Sequence, residues 1–179
     1  MKHKRETGMT LIEVMIATFI ITVALLAVAA ALGNGINAMF IVQEQLIAKQ
    51  KAREALESVF TARSTQNIAF TDILGMSAGG MFLEGWQPIA AMGPDGIANT
   101  ADDGAVEEIV FPGPNGNLGD SDDEHKTLSN YERQITFTDV LLLSGAVDDE
   151  IRKITVDVRF QVRGRWWTVS VSSYISKFA

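Results

Sequence analysis

The sequence predicts an α+β fold: one long N-terminal helix, apolar in its first half and amphipathic in its second, packed against a small antiparallel β-sheet. Three observations carry this. Residues 9–32 read MTLIEVMIATFIITVALLAVAAAL, with one charge and neither Pro nor Gly. A helical apolar pattern continues beyond them, with no Pro between Met9 and Arg63. Near the C-terminus, Ile154, Val156, Val158, Phe160 and Val162 alternate with polar residues and meet a second β-like run across Arg163-Gly164.

The first eight residues, MKHKRETG, set Lys2, Lys4 and Arg5 against Glu6, a net +2. Glu13 is the sole charge of the run that follows. At a rise of about 1.5 Å per residue, the charge-free stretch 14–32 spans roughly 28 Å, close to the ~30 Å hydrocarbon core of a bilayer. Basic residues precede it and none closely follow, which predicts a single-pass segment with a cytoplasmic N-terminus. Gly33-Asn34-Gly35 comes next; each Gly weakens a helix by about 1 kcal/mol relative to Ala. These three residues are either a hinge at the outer end of the membrane segment or ordinary small residues within an intact helix.

From residue 36 to 63, Ile36, Met39, Phe40, Leu46, Ile47, Leu56, Val59 and Phe60 recur mostly at three- and four-residue steps, among Lys49, Lys51, Arg53, Glu54 and Glu57. This predicts one core-facing stripe. A single helix from 9 to 63 would be about 80 Å long, far beyond a globular helix. Residues 64–130 read as loops, broken by Gly75, Gly79, Gly80 and Gly85. Residues 93–125 hold nine acids and no Lys or Arg, with one short strand expected at 106–111. No fixed-period repeat is evident. Strands are expected at 135–140, 154–162 and 166–175, the last with Val169, Val171 and Ile175 on one face. The expected divisions are therefore 1–8, 9–32, 33–63 and 64–179.

Composition excludes several chemistries. The chain has 179 residues, net charge −7 and no Cys, which removes disulfides, thiolate metal sites and a cysteine nucleophile. The acidic balance argues against nucleic acid as a partner. His3 and His125 are the two histidines, too few for a histidine zinc site. A hydrolase triad would have to use His125 inside an acidic loop. Gly113, Gly116 and Gly119 lack a P-loop lysine and lead into Asp120, Asp122 and Asp123, which repel phosphate. No enzyme activity is expected.

Two further clusters carry open alternatives. Asp95, Asn99, Asp102 and Asp103 lie among turn-forming residues. They read either as oxygen ligands for calcium, outside the EF-hand pattern, or as a solvated acidic loop with Asx turns. Arg159, Arg163, Arg165, Trp166 and Trp167 crowd the terminal hairpin, where residues 151–179 carry six basic groups against Asp157. Such a cluster can bind single-stranded nucleic acid. The reading preferred here packs one Trp on the core and turns the Arg residues to solvent, to neighbouring subunits or to the acidic zone.

Three readings of residues 1–32 compete. A secretory signal peptide has a shorter apolar region. A plain single-pass anchor gives Glu13 no role. The third starts from Gly8-Met9-Thr10-Leu11-Ile12-Glu13-Val14, which, with the basic leader and the uninterrupted apolar run, resembles the processing site of type IV prepilins and type II secretion pseudopilins. The resemblance implies a pilin-like α+β fold. It also implies removal of residues 1–8 by prepilin peptidase at the Gly8–Met9 bond and N-methylation of Met9. Phe is the commoner residue at the new terminus, and Met9 departs from that while keeping its apolar character.

Glu13 would pair with the terminal amine of a neighbouring subunit, removing the cost of a carboxylate in lipid. The bland alternative is that Glu13 snorkels to the cytoplasmic interface. The implied partners are prepilin peptidase, an inner-membrane assembly platform, other pilin or pseudopilin subunits and the membrane. The implied location is the inner membrane and then a pilus or pseudopilus. No cofactor is required. The runs 13–19 and 24–28 are most similar to the minor pilins called type IV pilus modification proteins and to the minor pseudopilin I. The competing function is a single-pass anchored calcium-binding or adhesion module that joins no filament.

Overall fold

The computed structural model describes residues 9–178. The leader, including Gly8, lies outside them. One helix, α1, runs Leu11–Ser64. Six strands follow: β1 (Gln87–Pro88), β2 (Glu108–Phe111), β3 (Glu124–Thr127), β4 (Tyr131–Leu141), β5 (Val147–Val162) and β6 (Arg165–Ser176). The chain divides between Gln43 and Glu44 into two compact units. The unit before Glu44 is helical from Leu11. Its side chains face outward all round, with Leu11 80%, Phe19 69%, Leu26 66% and Leu32 64% exposed.

The second unit is the α+β domain. Its main sheet has the order β1-β4-β5-β6, all pairs antiparallel, and β2 and β3 form a separate two-stranded ribbon. The period-two pattern of β5 holds over most of its length: Ile154, Val156, Val158 and Phe160 are fully buried, the residues between them are half-buried, and Val162 at the strand's end is half-buried. The β5–β6 turn places Arg163 at φ 51° and Gly164 at φ 78°, the pair of left-handed conformations that suits a two-residue hairpin.

The helix stripe differs from the expected one. Ile47 and Val59 are buried, and Leu56 and Phe60 pack at the margin of the core. Ile36, Met39, Phe40 and Leu46 are exposed. The buried surface is instead a row of small residues: Ala48, Ala52, Ala55, Ser58 and Ala62. Alanine and serine carry little hydrophobic signal, so large apolar residues are a poor guide to the buried face. Ile73, Phe82, Ile89, Leu128, Tyr131 and Ile175 complete the core.

The acidic loops depart further from expectation. Residues 93–103 and 113–123 are two copies of one motif offset by 20 positions, with Gly93/Gly113, Pro94/Pro114, Gly96/Gly116, Asp102/Asp122 and Asp103/Asp123 identical. The same hydrogen bonds recur. Asp95 Oδ1 accepts from the Ile97 amide at 2.7 Å, as Asn115 Oδ1 does from Asn117 at 2.7 Å. Asp102 accepts from the Asp95 amide at 3.3 Å, and Asp122 from Asn115 at 3.4 Å. Asp103 accepts from Asn99 at 2.8 Å, and Asp123 from Gly119 at 2.6 Å. A Cβ at Gly93 or Gly113 would collide with the backbone and side chain of Asp102 or Asp122, so both copies need glycine there. The repeat escapes inspection because only its turn-forming positions match.

The copies differ in burial. In the first, Ile97, Ala98, Asn99 and Thr100 are at most 3% exposed, and the Ala98 amide donates to Ser58 Oγ on α1 at 3.2 Å. In the second, the equivalent residues 117–120 are exposed.

Candidate functional site

The N-terminal segment of α1 is built around Thr10 and Glu13. Thr10 precedes the first helical residue, and its Oγ1 accepts from the Glu13 amide at 3.4 Å. The Glu13 carboxylate reaches back to the Thr10 amide at 3.4 Å and to its hydroxyl at 3.5 Å. This Thr-x-x-Glu arrangement is a reciprocal cap that satisfies helix-start donors and sets a negative charge at the positive end of the helix dipole. The signal was legible as Thr10-Leu11-Ile12-Glu13, and Thr10 was missed as Glu13's partner. Met9, the first described residue, is 74% exposed.

Beyond this cap the apolar run turns the hydroxyls of Thr18 and Thr22 onto the helix itself. Thr18 Oγ1 donates to the carbonyls of Val14 and Met15 at 3.0 and 2.9 Å, and Thr22 Oγ1 to that of Thr18 at 2.7 Å. Hydroxyls turned onto their own helix leave no unmet donor for a hydrocarbon environment. The most apolar part of α1 is long and apolar enough to cross a membrane, with none of it buried among the described residues. A helix apolar all round and unburied is stable in lipid or against other helices, and costly in water. Gly33, Asn34 and Gly35 are helical, and a Cβ at either glycine would meet open space.

Asp95, Asn99, Asp102 and Asp103, read from the sequence either as calcium ligands or as Asx-turn formers, all take part in hydrogen bonds of the first loop. The oxygens of Asp95, Asp102 and Asp103 accept from backbone amides, and Asp102 also from Thr100 Oγ1 at 2.7 Å. The Thr100 bond holds Asp102 below the usual carboxylate range. Burial pushes Asp103 upward against the Asn99 amide and the Arg133 charge. Asn99 points inward, exchanging hydrogen bonds with the backbone of Leu83 at 2.9 and 2.8 Å. Among the described residues the one group of three acids with converging oxygens is Asp120, Asp122 and Asp123, in the second loop. His125 faces Glu108 at 3.3 Å on the β2–β3 ribbon.

At the hairpin, Arg159 is sandwiched between Trp86 at 4.2 Å and Trp166 at 4.6 Å and is anchored by Glu132. Arg165 lies 5.3 Å over Trp167, which packs against the core.

A buried charge network ties α1 to the loops, and no sequence pattern announced it. Lys51 is 5% exposed and bonds Glu107 and, at 2.7 Å, Glu54. Arg133 is 1% exposed, 3.4 Å from Asn99 Oδ1 and 3.8 Å from Asp103. Glu44 accepts from Lys126 at 2.5 Å and from the Tyr131 hydroxyl. Burial, then the bond to Glu44, raises the Tyr131 phenol well above its ordinary value. For Lys51, burial opposes the charge, and the bonds to Glu107 and Glu54 outweigh it and raise its pKa. Both groups hold their protons more tightly when folded. The stability they confer is complete below the unfolded-state values of about 10 and 10.5, and is lost as pH rises through the folded values. Thermal melting followed by circular dichroism should therefore be flat from pH 7 to 9 and fall steeply above about 10. Tyr131→Phe should flatten the fall, and an unchanged slope would remove Tyr131 from the account.

With this geometry in view, comparison with known families gives a match to the prokaryotic N-terminal methylation motif, over residues 3–29. Over this segment the chain is similar to type IV prepilins. The matched stretch contains the Gly8–Met9 bond, the Thr10–Glu13 cap and most of the apolar helix. No curated protein and no solved structure matches the chain. The prepilin-like segment and the long helix packed with a small antiparallel sheet agree with a pilin-like α+β fold.

Proposed function

We propose that the chain is a structural subunit of a type IV pilus or type II secretion filament, of the minor pilin kind, with no catalysis of its own. The carrying observation is the methylation motif placed directly on an apolar helix that none of the described residues covers. Prepilin peptidase cuts between Gly8 and Met9, the new amine of Met9 is methylated, and the helix anchors the precursor in the inner membrane until an assembly platform moves it into the filament.

The chemistry of Glu13 supports the assembly step. In lipid there is no hydrophobic gain from bringing apolar helices together, so packing and polar pairing decide association. An ionised carboxylate in that setting costs several kcal/mol unless paired. Before assembly the Thr10 cap partly serves it. In the filament a neighbour's methylated amine supplies the opposite charge. Gly33-Asn34-Gly35 is helical in the single chain, and melting of these residues on packing is a proposed consequence of assembly. Calcium in the acidic zone remains a separate proposal and no part of this mechanism.

The test is location. Sheared surface filaments, or the pelleted filament fraction of a secretion system, should contain the chain at a mass lacking residues 1–8. A chain confined to the membrane fraction, with filaments present and free of it, would overturn the reading.

A further inference from the structure

The main sheet ends on one side in an open strand. Its order is β1-β4-β5-β6, so β6 is an edge, and among the described residues β5 is its only pairing partner. Val162 and Arg165 close a two-residue turn, and a closing pair of that kind exchanges hydrogen bonds. By alternation, Trp166, Thr168, Ser170, Ser172 and Tyr174 turn their main-chain N–H and C=O groups away from β5. Such a row of unspent groups is a template for another strand, and proteins blunt it with Pro, charges, bulges or short length. The strand at the other side, β1, has two residues and ends in Pro88. β6 has twelve residues with neither Pro nor Gly, and Arg165, its first residue, is its only charge.

The core also thins towards this edge. Phe160, Val158 and Val156 of β5 are fully buried. Their register neighbours on β6, Trp167, Val169 and Val171, share their side of the sheet and pack on the core, yet are half-buried. On the other side of the sheet, Thr168, Ser170 and Ser172 form an exposed row of hydroxyls between the exposed rings of Trp166 and Tyr174. Arg165 and Lys177 stand at the two ends of β6 with no acid between them.

We propose that an extended segment of a different protein adds to β6 as a further strand, with apolar side chains at alternate positions, hydroxyl-bearing ones between them and acids near its ends. Main-chain hydrogen bonds supply the affinity, and the alternating side chains supply the specificity. The apolar positions cover Trp167, Val169 and Val171, the hydroxyls meet the row from Thr168 to Ser172, and the acids face Arg165 and Lys177. A second copy fits less well. Two β6 edges paired antiparallel about their middles set Arg165 of each copy beside Lys177 of the other, and like charges facing across paired strands are destabilising. This contact needs no filament to form, so its failure leaves the filament reading standing.

The probe is a fluorescent synthetic peptide that alternates Val with Thr and carries Asp at each end, titrated with the purified full chain in detergent micelles. Anisotropy should rise to saturation, and amide exchange at Thr168, Ser170 and Ser172 should slow several-fold. Ser172→Pro removes an outward N–H and none of the β5 ladder. It should abolish binding while the melting transition is kept. The same peptide with N-methylated amides leaves the protein untouched, cannot donate, and should also fail to bind. Lys in place of the terminal Asp should weaken binding several-fold at low salt. A peptide that does not bind, or binds equally when N-methylated, would overturn the inference. Protection of these amides in the chain alone, rising with its concentration, would place a second copy on the edge and overturn the choice of a different protein. Equal binding of the Asp-ended and Lys-ended peptides would overturn the charge pairing.

Discussion

Glu13→Ala is expected to remove the chain from assembled filaments while leaving the α+β domain folded. Taking one partner from a charge pair buried in an apolar setting costs about 3 kcal/mol or more. That is upward of a hundredfold in the assembly equilibrium. Glu13 bonds Thr10, and the residues of the core begin at Ile47, so the melting transition of the domain should not move. Glu13→Gln is the sharper variant: it keeps the shape and can still cap Thr10, but carries no charge to neutralise an ammonium. It should fail as Glu13→Ala does. Filament incorporation of Glu13→Gln at the native level would show that Glu13 acts as a helix cap alone.

The largest stability effect outside the apolar core is expected at Glu107. Lys51 is buried under α1 and depends on Glu107 and Glu54, of which Glu54 is the more exposed. Glu107→Ala leaves a buried ammonium with one partner at the rim. Fully buried pairs broken this way cost about 3–5 kcal/mol, and partial exposure of Glu107 brings the expected loss to about 2–3 kcal/mol. Replacing both ends, Lys51→Met with Glu107→Leu, removes the stranded charge and should recover most of that loss. Thermal unfolding of the full chain in detergent micelles measures both. A double variant less stable than Glu107→Ala would show that the pair itself, and not the stranded lysine, holds α1 to the loops.

What was legible in the sequence followed periodicity and turn chemistry. The apolar run, the period-two strand at 154–162 and the turn at Arg163-Gly164 all declare themselves within a few residues. The helix face was misjudged because alanine carries little hydrophobic signal, yet Ala48, Ala52 and Ala55 are what the domain buries. β3 reads Glu-His-Lys-Thr and has no strand pattern of its own; it exists because β2 supplies a partner. The acid count of residues 93–104 suggested a solvated or metal-binding loop. Four consecutive residues of it lie in the core, where Asp side chains cap the turns that carry them in. Of the residues proposed to function, Glu13 was legible through its neighbours in the motif. Thr10 and Lys51 needed the structure, since their significance lies in what stands opposite them.

The central claim, that residues 1–8 are a prepilin leader, is tested most directly by the intact mass and N-terminal sequence of the chain recovered from its native membrane. The expected mature chain starts at Met9 and carries one extra methyl group on its α-amine. A chain beginning at Met1, or cut after the small-residue stretch Ala27-Val28-Ala29 as a secretory signal would be, contradicts the account.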